Sequence, residues 1–309
     1  MNQPLIDHHL QQTLRHLYIS PLEQCNLNCR LCYTRKTTDQ LSILQIQDFI
    51  KRYQQVQALD AITFCGGEVF LLDWFVPLVN QLTTQGLLIE IITNGTIDQL
   101  AEFKQPNLIN LIISLDGLPK AHDANRGQGN FDRSFKFFQQ AQKMDFHTEI
   151  FTVVSQHNFD QLAEFEQFLQ ANSDQPIEVT YHPRKPLAYL DNHPLVNETG
   201  QIKGFEFLTA EQILQLAQTR KIFSPIELGC YQLSLMSTGQ VYACCEGVKP
   251  IGQIDDDISD LLEKFKQQVA VPTALDKHSC LGCTYPGFNC GVAGIYAQVN
   301  QTNNQENSP

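Results

Sequence analysis

The sequence has no long apolar run. No apolar stretch approaches the about 18 residues that a membrane-spanning helix requires. Residues 1–20 also lack the apolar core of a secretory signal peptide. We therefore expect a cytoplasmic protein that does not associate with a membrane.

Basic residues are scarce as well. Lys and Arg number 21 against 33 Asp and Glu, which gives a formal net charge of -12 and a pI near 5.1. This balance argues against non-specific binding to nucleic acid, which requires a basic surface, although a local basic patch stays open. The 309 residues are 42% apolar, enough for an ordinary core in one large domain or in a large domain with a small companion.

Cysteine, in contrast, occurs ten times and in two groups. Disulfides are rare in a reducing compartment, so metal or cluster ligation is the leading use of most of these thiols. Only Cys65 stands alone, inside an apolar run, and we interpret it as a core residue. The groups are Cys25, Cys29 and Cys32 early in the chain, and Cys230, Cys244, Cys245, Cys280, Cys283 and Cys290 late.

The early group lies in CNLNCRLCY, residues 25–33, where Tyr33 follows the third cysteine at once. Three thiolates from one loop can hold three irons of a cubane cluster and leave the fourth iron open to another ligand. A helix with three buried cysteines on one face is an alternative, but Asn26 and Asn28 favour local backbone bonding over helix. A zinc loop is a second alternative, although zinc knuckles more often pair two CxxC units.

The pattern CxxxCxxC followed by an aromatic residue resembles the signature of the radical SAM superfamily. The resemblance implies that Cys25, Cys29 and Cys32 bind a [4Fe-4S] cluster whose open iron meets S-adenosyl-L-methionine. It also implies that Tyr33 lies beside the adenine of that cofactor.

Six short apolar, β-branched runs alternate with helical patterns. Ser42 and Gln45 form a predicted capping box at the start of one of these helices. The alternation predicts an α/β fold of parallel βα units, a partial (β/α)6 TIM-like barrel, which is also the core fold of the family that the chain resembles. The runs cover residues 17–20, 61–65, 87–93, 111–115, 148–154 and 177–182.

Polar or glycine-rich features follow each predicted strand. In parallel α/β barrels, chemistry collects at the carboxyl ends of the strands, so these features are expected on one rim. They are the cysteine loop, Gly66-Gly67-Glu68, Asn94-Gly95, Ser114 with Asp116, Val154 with Ser155, and His182.

The turn Gly66-Gly67-Glu68 is weak evidence alone, because a turn with a solvated glutamate has the same sequence. Glycines do allow a ligand to approach the backbone, and a carboxylate can accept hydrogen bonds from an ammonium. One strand after the cysteine loop, the turn resembles the family motif that binds the methionyl amino group of S-adenosylmethionine. The family often has proline next, where Val69 stands here.

The segments ISLDG, residues 113–117, and HDANRG, residues 122–127, resemble the fourth-strand region of the peptide-modifying branch of the family. The resemblance puts Ser114 on the ribose and carboxylate side of the cofactor and Arg126 on its carboxylate, with Asp116 as a looser candidate. An ordinary strand-end turn is the alternative for Ser114 and Asp116. Asn94 contacts the cofactor or only shapes its turn, and Val154 is placed on the wall opposite Tyr33.

The late cysteines resemble the SPASM extension or its shorter form, the twitch domain. One auxiliary [4Fe-4S] cluster is expected on Cys230, Cys244, Cys280 and Cys283. Cys290 could replace one of these ligands, Cys245 is ambiguous, and a structural zinc site is the alternative. Within this region, residues 237–240 are predicted to form a hairpin turn.

These predictions divide the chain into a barrel core at residues 13–183, a bridge with a helix at 184–223, and a small cysteine-rich SPASM/twitch-like domain at 224–295. Residues 1–12 and 296–309 are polar tails. The bridge helix is predicted around Leu208, Ile213 and Leu216.

The resemblance implies an enzyme that cleaves S-adenosylmethionine reductively to a 5'-deoxyadenosyl radical for hydrogen abstraction. The leading substrate is a peptide or protein, as in maturases of ribosomal peptides, with a one-electron donor such as flavodoxin or ferredoxin. A small-molecule dehydrogenase or cyclase is the alternative enzyme, and a non-catalytic iron-sulfur or zinc protein is the alternative from another class. No catalytic acid or base is assigned, although His182 is a candidate proton acceptor.

Overall fold

The computed structural model describes residues 14–32, 34, 36–173, 175–184, 202–220, 232–243, 245 and 250–267. Nine strands of these ranges form one sheet in the order β6-β5-β4-β3-β2-β1-β7-β8-β9. The strands are β1 (His16–Ser20), β2 (Ala61–Phe64), β3 (Leu88–Thr93), β4 (Ile109–Ser114), β5 (His147–Val154), β6 (Glu178–Pro183), β7 (Leu233–Met236), β8 (Gln240–Tyr242) and β9 (Gly252–Gln253).

Strands β1 to β6 pair in parallel and in chain order. Each of them overlaps one of the six predicted runs. The α/β class and the mostly parallel sheet are therefore confirmed, and so is the single rim on which all six carboxyl ends lie.

Helices cover the sheet between these strands. The first begins at the predicted capping box, where Ser42 Oγ accepts from Gln45 N at 3.3 Å and Gln45 Oε1 accepts from Ser42 N at 2.9 Å. The helices are α1 (Ile43–Val56), α2 (Phe75–Thr84), α3 (Pro119–Arg126), α4 (Asn130–Lys143), α5 (Leu162–Ala171), α6 (Ala210–Thr219) and α7 (Ile258–Phe265).

The main core lies between the sheet and these helices. Leu17 and Ile19 of β1 and Ile89 and Ile91 of β3 are fully buried in it. Side chains of a strand alternate between its two faces, so the residues that alternate with these four lie on the opposite, inner face of the sheet. Polar residues such as Glu90 of β3 occupy that inner face.

The strand β7 pairs in parallel with β1, with Leu17 opposite Leu233. The predicted hairpin at residues 237–240 is confirmed, because β8 runs antiparallel to β7 and Gly239 N donates to Met236 O at 2.9 Å. The described part of the region 224–295 is thus hydrogen-bonded into the main sheet. The division of the chain into separate domains stays a prediction, since much of that region lies outside the described residues.

The predicted bridge helix corresponds to α6, which begins at Ala210 after the N-cap Thr209. Leu208 lies just before this helix and packs with Leu216. Across the described residues, none of the helices combines the length and the apolar character needed to cross a bilayer.

Candidate functional site

The cysteine loop follows β1 at the carboxyl edge of the sheet. Cys25 Sγ accepts hydrogen bonds from Leu27 N at 3.4 Å and from Asn94 Nδ2 at 3.6 Å. Cys32 Sγ lies 3.1 Å from Thr34 Oγ1, and Cys32 N donates to Cys29 O at 3.3 Å in a tight turn. All three thiols are half-buried and outside any helix, which rules out the helical alternative.

Two thiols of this loop, those of Cys25 and Cys29, have raised pKa values. Burial raises the pKa of Cys29 to about 11, and the nearby Arg126 guanidinium offsets only part of that rise. Burial also raises the pKa of Cys25. Since thiolates are the ligating form, a cluster must displace these protons as it binds.

The glycine-rich turn after β2 supports the segment that leads into the cysteine loop. Gly67 N donates to Leu22 O at 2.9 Å, and Glu68 N donates to Gln24 O at 3.0 Å. A Cβ on Gly67 would lie 1.9 Å from Gln24 O, and a Cβ on Gly66 would lie 2.3 Å from Leu22 O. Only glycines permit this close approach, so the turn and the loop are one packed unit.

The side chain of Glu68 is fully buried beneath the end of β3. Its Oε1 accepts from Thr93 Oγ1 at 2.9 Å and from Phe70 N at 3.3 Å, and its Oε2 accepts from Asn94 N at 2.9 Å. Burial raises the pKa of Glu68 to about 7 against the effect of these hydrogen bonds. Both oxygens thus accept hydrogen bonds from the protein and anchor the turn to β3. Direct contact of this carboxylate with an ammonium stays a prediction.

Asn94 links the end of β3 to the cysteine loop. Its Nδ2 donates to Asn26 Oδ1 at 2.9 Å, in addition to the contact with Cys25. Its Oδ1 accepts from Thr96 N at 2.9 Å and from Thr96 Oγ1 at 2.6 Å. Asn94 therefore shapes the turn and also orients the first cysteine.

Asp116 and Arg126 form a buried, two-pronged ion pair. Arg126 Nε donates to Asp116 Oδ2 at 2.6 Å and Arg126 Nη2 to Asp116 Oδ1 at 3.1 Å, with side-chain exposures of 12% and 3%. Burial alone would raise the pKa of Asp116, but the guanidinium outweighs it and lowers that pKa. Burial alone would lower the pKa of Arg126, but Asp116 and the neighbouring Cys29 outweigh it and raise that pKa. This pair holds the Arg126 guanidinium beside Cys29 of the cysteine loop.

Two buried amides that sequence reasoning missed complete this region. Asn125 contacts both Asp116 and the backbone of the cysteine loop. Asn158 Nδ2 donates to Asp116 O at 2.6 Å and to Val153 O at 2.8 Å. Asn125 stands next to Arg126 in the sequence, but only the fold shows what its side chain reaches.

Ser114 and Val154 end neighbouring strands of the sheet. Ser114 is buried at the end of β4, on the rim as predicted. Val154 is also buried, but it packs with Leu162 of α5 and Leu216 of α6 on the helical face. Strand alternation turns its neighbour Val153 the other way, where Val153 packs beside Leu31 and Phe205. The placement of Val154 on the cofactor wall stays a prediction.

His182 of β6 lies on the inner face near the rim. It is buried, its Nδ1 donates to Pro183 O at 2.9 Å, and its ring centroid lies 5.4 Å from that of Phe151. A role as proton acceptor stays a prediction. Cys65 is buried at the end of β2, as expected for a core residue.

The predicted auxiliary site falls outside the described residues. So does the predicted adenine contact, Tyr33. Cys245 is described and half-buried. Among the described residues, no three Cys, His, Asp or Glu side chains are grouped so that they could hold one metal ion. The predicted site residues that lie outside the described ranges are Tyr33, Cys230, Cys244, Cys280, Cys283 and Cys290.

A cavity of about 500 Å³ lies at the opposite edge of the sheet, lined by the residues that begin the strands. There His16 Nε2 lies 2.8 Å from Thr63 Oγ1, which donates to Glu90 Oε2 at 2.6 Å. Asn110 Nδ2 donates to Glu149 Oε1 at 3.0 Å. The cysteine loop is at the other end of the strands, so this cavity is separate from the candidate site.

The family model described as the radical SAM superfamily matches residues 19–169. The AdoMet-dependent heme synthase of Methanosarcina barkeri is 26% identical over 147 residues, which are 45% of this chain and 42% of that protein. The antilisterial bacteriocin subtilosin biosynthesis protein AlbA of Bacillus subtilis is 26% identical over 131 residues, which are 39% of this chain and 29% of that protein. The chain thus spans less than half the length of these two relatives.

Among solved structures, native anSMEcpe with bound AdoMet and Cp18Cys peptide has a TM-score of 0.69 and 18% sequence identity. The superposition covers 94% of this chain and 97% of that one. At this identity the likeness shows a shared fold.

Proposed function

Because the chain carries a radical SAM domain over residues 19–169, we propose that it is an enzyme that cleaves S-adenosylmethionine reductively and abstracts hydrogen from a peptide or protein. The observation that carries the proposal is the loop of three thiols at the carboxyl edge of a parallel sheet, beside the buried Asp116–Arg126 pair. A scaffold protein would have no need of a fixed cation at that place.

Cys25, Cys29 and Cys32 would hold a [4Fe-4S] cluster. The donor set fits this group, since three thiols of one loop supply three ligands and leave one iron for the cofactor. With the cluster and S-adenosylmethionine bound, the chemistry supplied is one-electron cleavage of a carbon-sulfur bond to methionine and a 5'-deoxyadenosyl radical.

The protein's own residues would bind and orient the cofactor. Asp116 holds Arg126 through Nε and Nη2, and we assign the remaining nitrogen, Nη1, to the methionyl carboxylate. We assign the methionyl ammonium to the turn Gly66-Gly67-Glu68, whose glutamate is anchored under β3 by hydrogen bonds from Thr93 and Asn94. Ser114 is assigned to the ribose side of the cofactor.

Apolar residues near the loop would limit the access of water. Leu31, between the second and third cysteines, packs with Ile202 and Phe205. The guanidinium carbon of Arg30 lies 5.7 Å from the centroid of the Phe205 ring. A reactive carbon radical needs such exclusion of competing hydrogen donors.

Two kinds of relative support different substrates. A peptide is favoured by the similarity to AlbA, a bacteriocin biosynthesis protein, and by the fold shared with the peptide-bound anSMEcpe. A small molecule is favoured by the similarity to the heme synthase. We propose the peptide, with flavodoxin or ferredoxin as electron donor and one auxiliary cluster on the late cysteines. A small-peptide gene next to the gene for this protein would support that choice.

The test is iron and sulfide content with low-temperature electron paramagnetic resonance on anaerobically purified protein, with and without S-adenosylmethionine. We expect a cluster signal that the cofactor perturbs and that is lost when Cys25, Cys29 and Cys32 are changed to Ala. The control is Cys65→Ala, which removes a buried cysteine outside the loop and should keep the signal.

The iron content separates the possibilities for the late cysteines. About eight irons per chain support two clusters, and about four with bound zinc indicate a structural zinc site instead. Absence of any cofactor-sensitive signal in the wild type would overturn the proposed function.

A further inference from the structure

We propose that Asn125 is a positioning residue that couples the spacing of Cys29 and Cys32 to the orientation of the Arg126 guanidinium. This inference rests on the proposed function, because it assigns Asn125 a role in assembling the same site. Asn125 is 4% exposed and lies at the end of α3, next to Arg126 in the chain.

The first part of the coupling is a clamp on the cysteine loop. Asn125 O accepts from Arg30 N at 3.0 Å, and Asn125 Oδ1 accepts from Leu31 N at 2.9 Å. Arg30 and Leu31 are the two residues between Cys29 and Cys32. One residue therefore holds both intervening amides, and with them the separation of the two ligands.

The second part is the contact with the ion pair. Asn125 Nδ2 donates to Asp116 Oδ2 at 2.7 Å, the same oxygen that accepts from Arg126 Nε. Asp116 Oδ1 accepts from Arg126 Nη2 and from Val153 N at 3.2 Å. A shift of the Asn125 amide would thus rotate the carboxylate that fixes the guanidinium.

The chemistry of the amide explains why this position carries asparagine. The side chain must accept from the Leu31 N–H and donate to a carboxylate at once, and an amide offers both. The assignment of its oxygen and nitrogen is unambiguous, because a reversed amide would face a donor with a donor and an acceptor with an acceptor. Aspartate would keep the acceptor for Leu31 but would set a second carboxylate against Asp116.

The test compares Asn125→Ala with Asn158→Ala in the full chain. Both changes remove a buried amide that donates to Asp116, but Asn158 donates to its backbone oxygen and only Asn125 reaches the loop. Before cluster assembly, we expect iodoacetamide to alkylate Cys29 and Cys32 about tenfold faster in Asn125→Ala, since a buried hydrogen bond that orders the loop is lost. Asn158→Ala should match the wild type.

Cofactor binding gives the second measurement. In the reconstituted protein, Asn125→Asp should keep the cluster signal but weaken S-adenosylmethionine binding about tenfold or more, because the second carboxylate repels Asp116, which holds Arg126 in place. Should Asn125→Ala fail to fold, hydrogen exchange in the wild type decides, since the Arg30 and Leu31 amides should both be protected.

The positioning role would be overturned if Asn125→Ala and the wild type were alkylated at the same rate, or if Asn158→Ala were alkylated as fast as Asn125→Ala. Rapid exchange of the Arg30 and Leu31 amides would also overturn it. The alkylation and exchange measurements need no radical chemistry. A wild type without a cofactor-sensitive signal would therefore overturn the proposed function alone, whereas unchanged alkylation beside a normal signal would overturn the positioning role alone.

Discussion

The two edges of the parallel sheet both carry charged residues, but they pair them differently. At the carboxyl edge, Asp116 is buried and its two oxygens accept from Arg126, Asn125 and a backbone amide. At the amino edge, Glu90 keeps 34% of its side chain exposed, beside His16 and an open cavity. A cavity of about 500 Å³ lies at the amino edge, but the thiols and the Arg126 guanidinium lie at the carboxyl edge. The chemistry of the lining residues, rather than the volume, identifies the candidate site.

The largest expected effect comes from breaking the ion pair at the carboxyl edge. Arg126→Leu leaves the Asp116 carboxylate buried without its cation, which should lower the free energy of unfolding by about 3 to 5 kcal/mol. Urea unfolding of the cluster-free chain measures this loss. The control is Arg15→Leu, which breaks the exposed Arg15–Asp60 pair before β1 and β2 and should cause no measurable change. Equal losses in the two variants would contradict the contrast between the edges.

The second prediction uses the titration of Glu68. Its folded pKa of about 7 lies above its ordinary value of 4.5, so the folded chain binds the proton more tightly. The stability of the wild type relative to Glu68→Gln should therefore fall by about 3 kcal/mol as pH rises from about 4.5 to 7, and stay flat beyond. Unfolding free energies of both proteins across this range give the difference, and a constant difference would contradict the prediction.

The amino edge supplies a control of opposite sign. Burial lowers the pKa of His16 from 6.5, and Glu90 offsets only part of this effect. Above the unfolded pKa of His16, the free energy of unfolding of the wild type relative to His16→Gln should be constant. It should fall as the pH drops below that pKa. The two edges would then respond to acid in opposite directions.

The smallest expected effect compares two glycines. Gly67→Ala puts a Cβ 1.9 Å from Gln24 O and should lower the free energy of unfolding by about 2 kcal/mol, because backbone must shift. It should also speed alkylation of Cys25, since the turn supports the loop. Gly86 lies before β3 at the amino edge, and a Cβ added there would have no atom within 4 Å. The only strain in Gly86→Ala comes from the backbone φ of +83°. We expect a loss of about 1 kcal/mol there and no change at Cys25.

Much of the fold could be predicted because its signals are local. Six apolar, β-branched runs gave the six parallel strands, and Ser42 with Gln45 gave the start of α1. The hairpin between β7 and β8 was also predicted. The pairing of β7 with β1 was not predicted, because the contact of Leu233 with Leu17 joins distant parts of the chain.

The site was predicted less completely, for a related reason. Residue type and position gave the cysteine loop, Glu68, Asp116 and Arg126, but the hydrogen-bond partners of each side chain depend on the packed fold. Glu68 turned out to anchor β3. Val154 packs toward the helices, whereas Val153 packs beside Leu31 of the cysteine loop, a difference that only the packed fold shows.

The pairing of β7 with β1 has a consequence for the order of events during synthesis. A chain leaves the ribosome at about 5 to 20 residues per second, and its early segments can fold first. The strand that leads into the cysteine loop must nevertheless keep one edge unpaired until β7, about 200 residues later, has emerged. An unpaired edge invites association with other chains. The nascent protein thus passes through a vulnerable interval that closes only when its C-terminal third arrives.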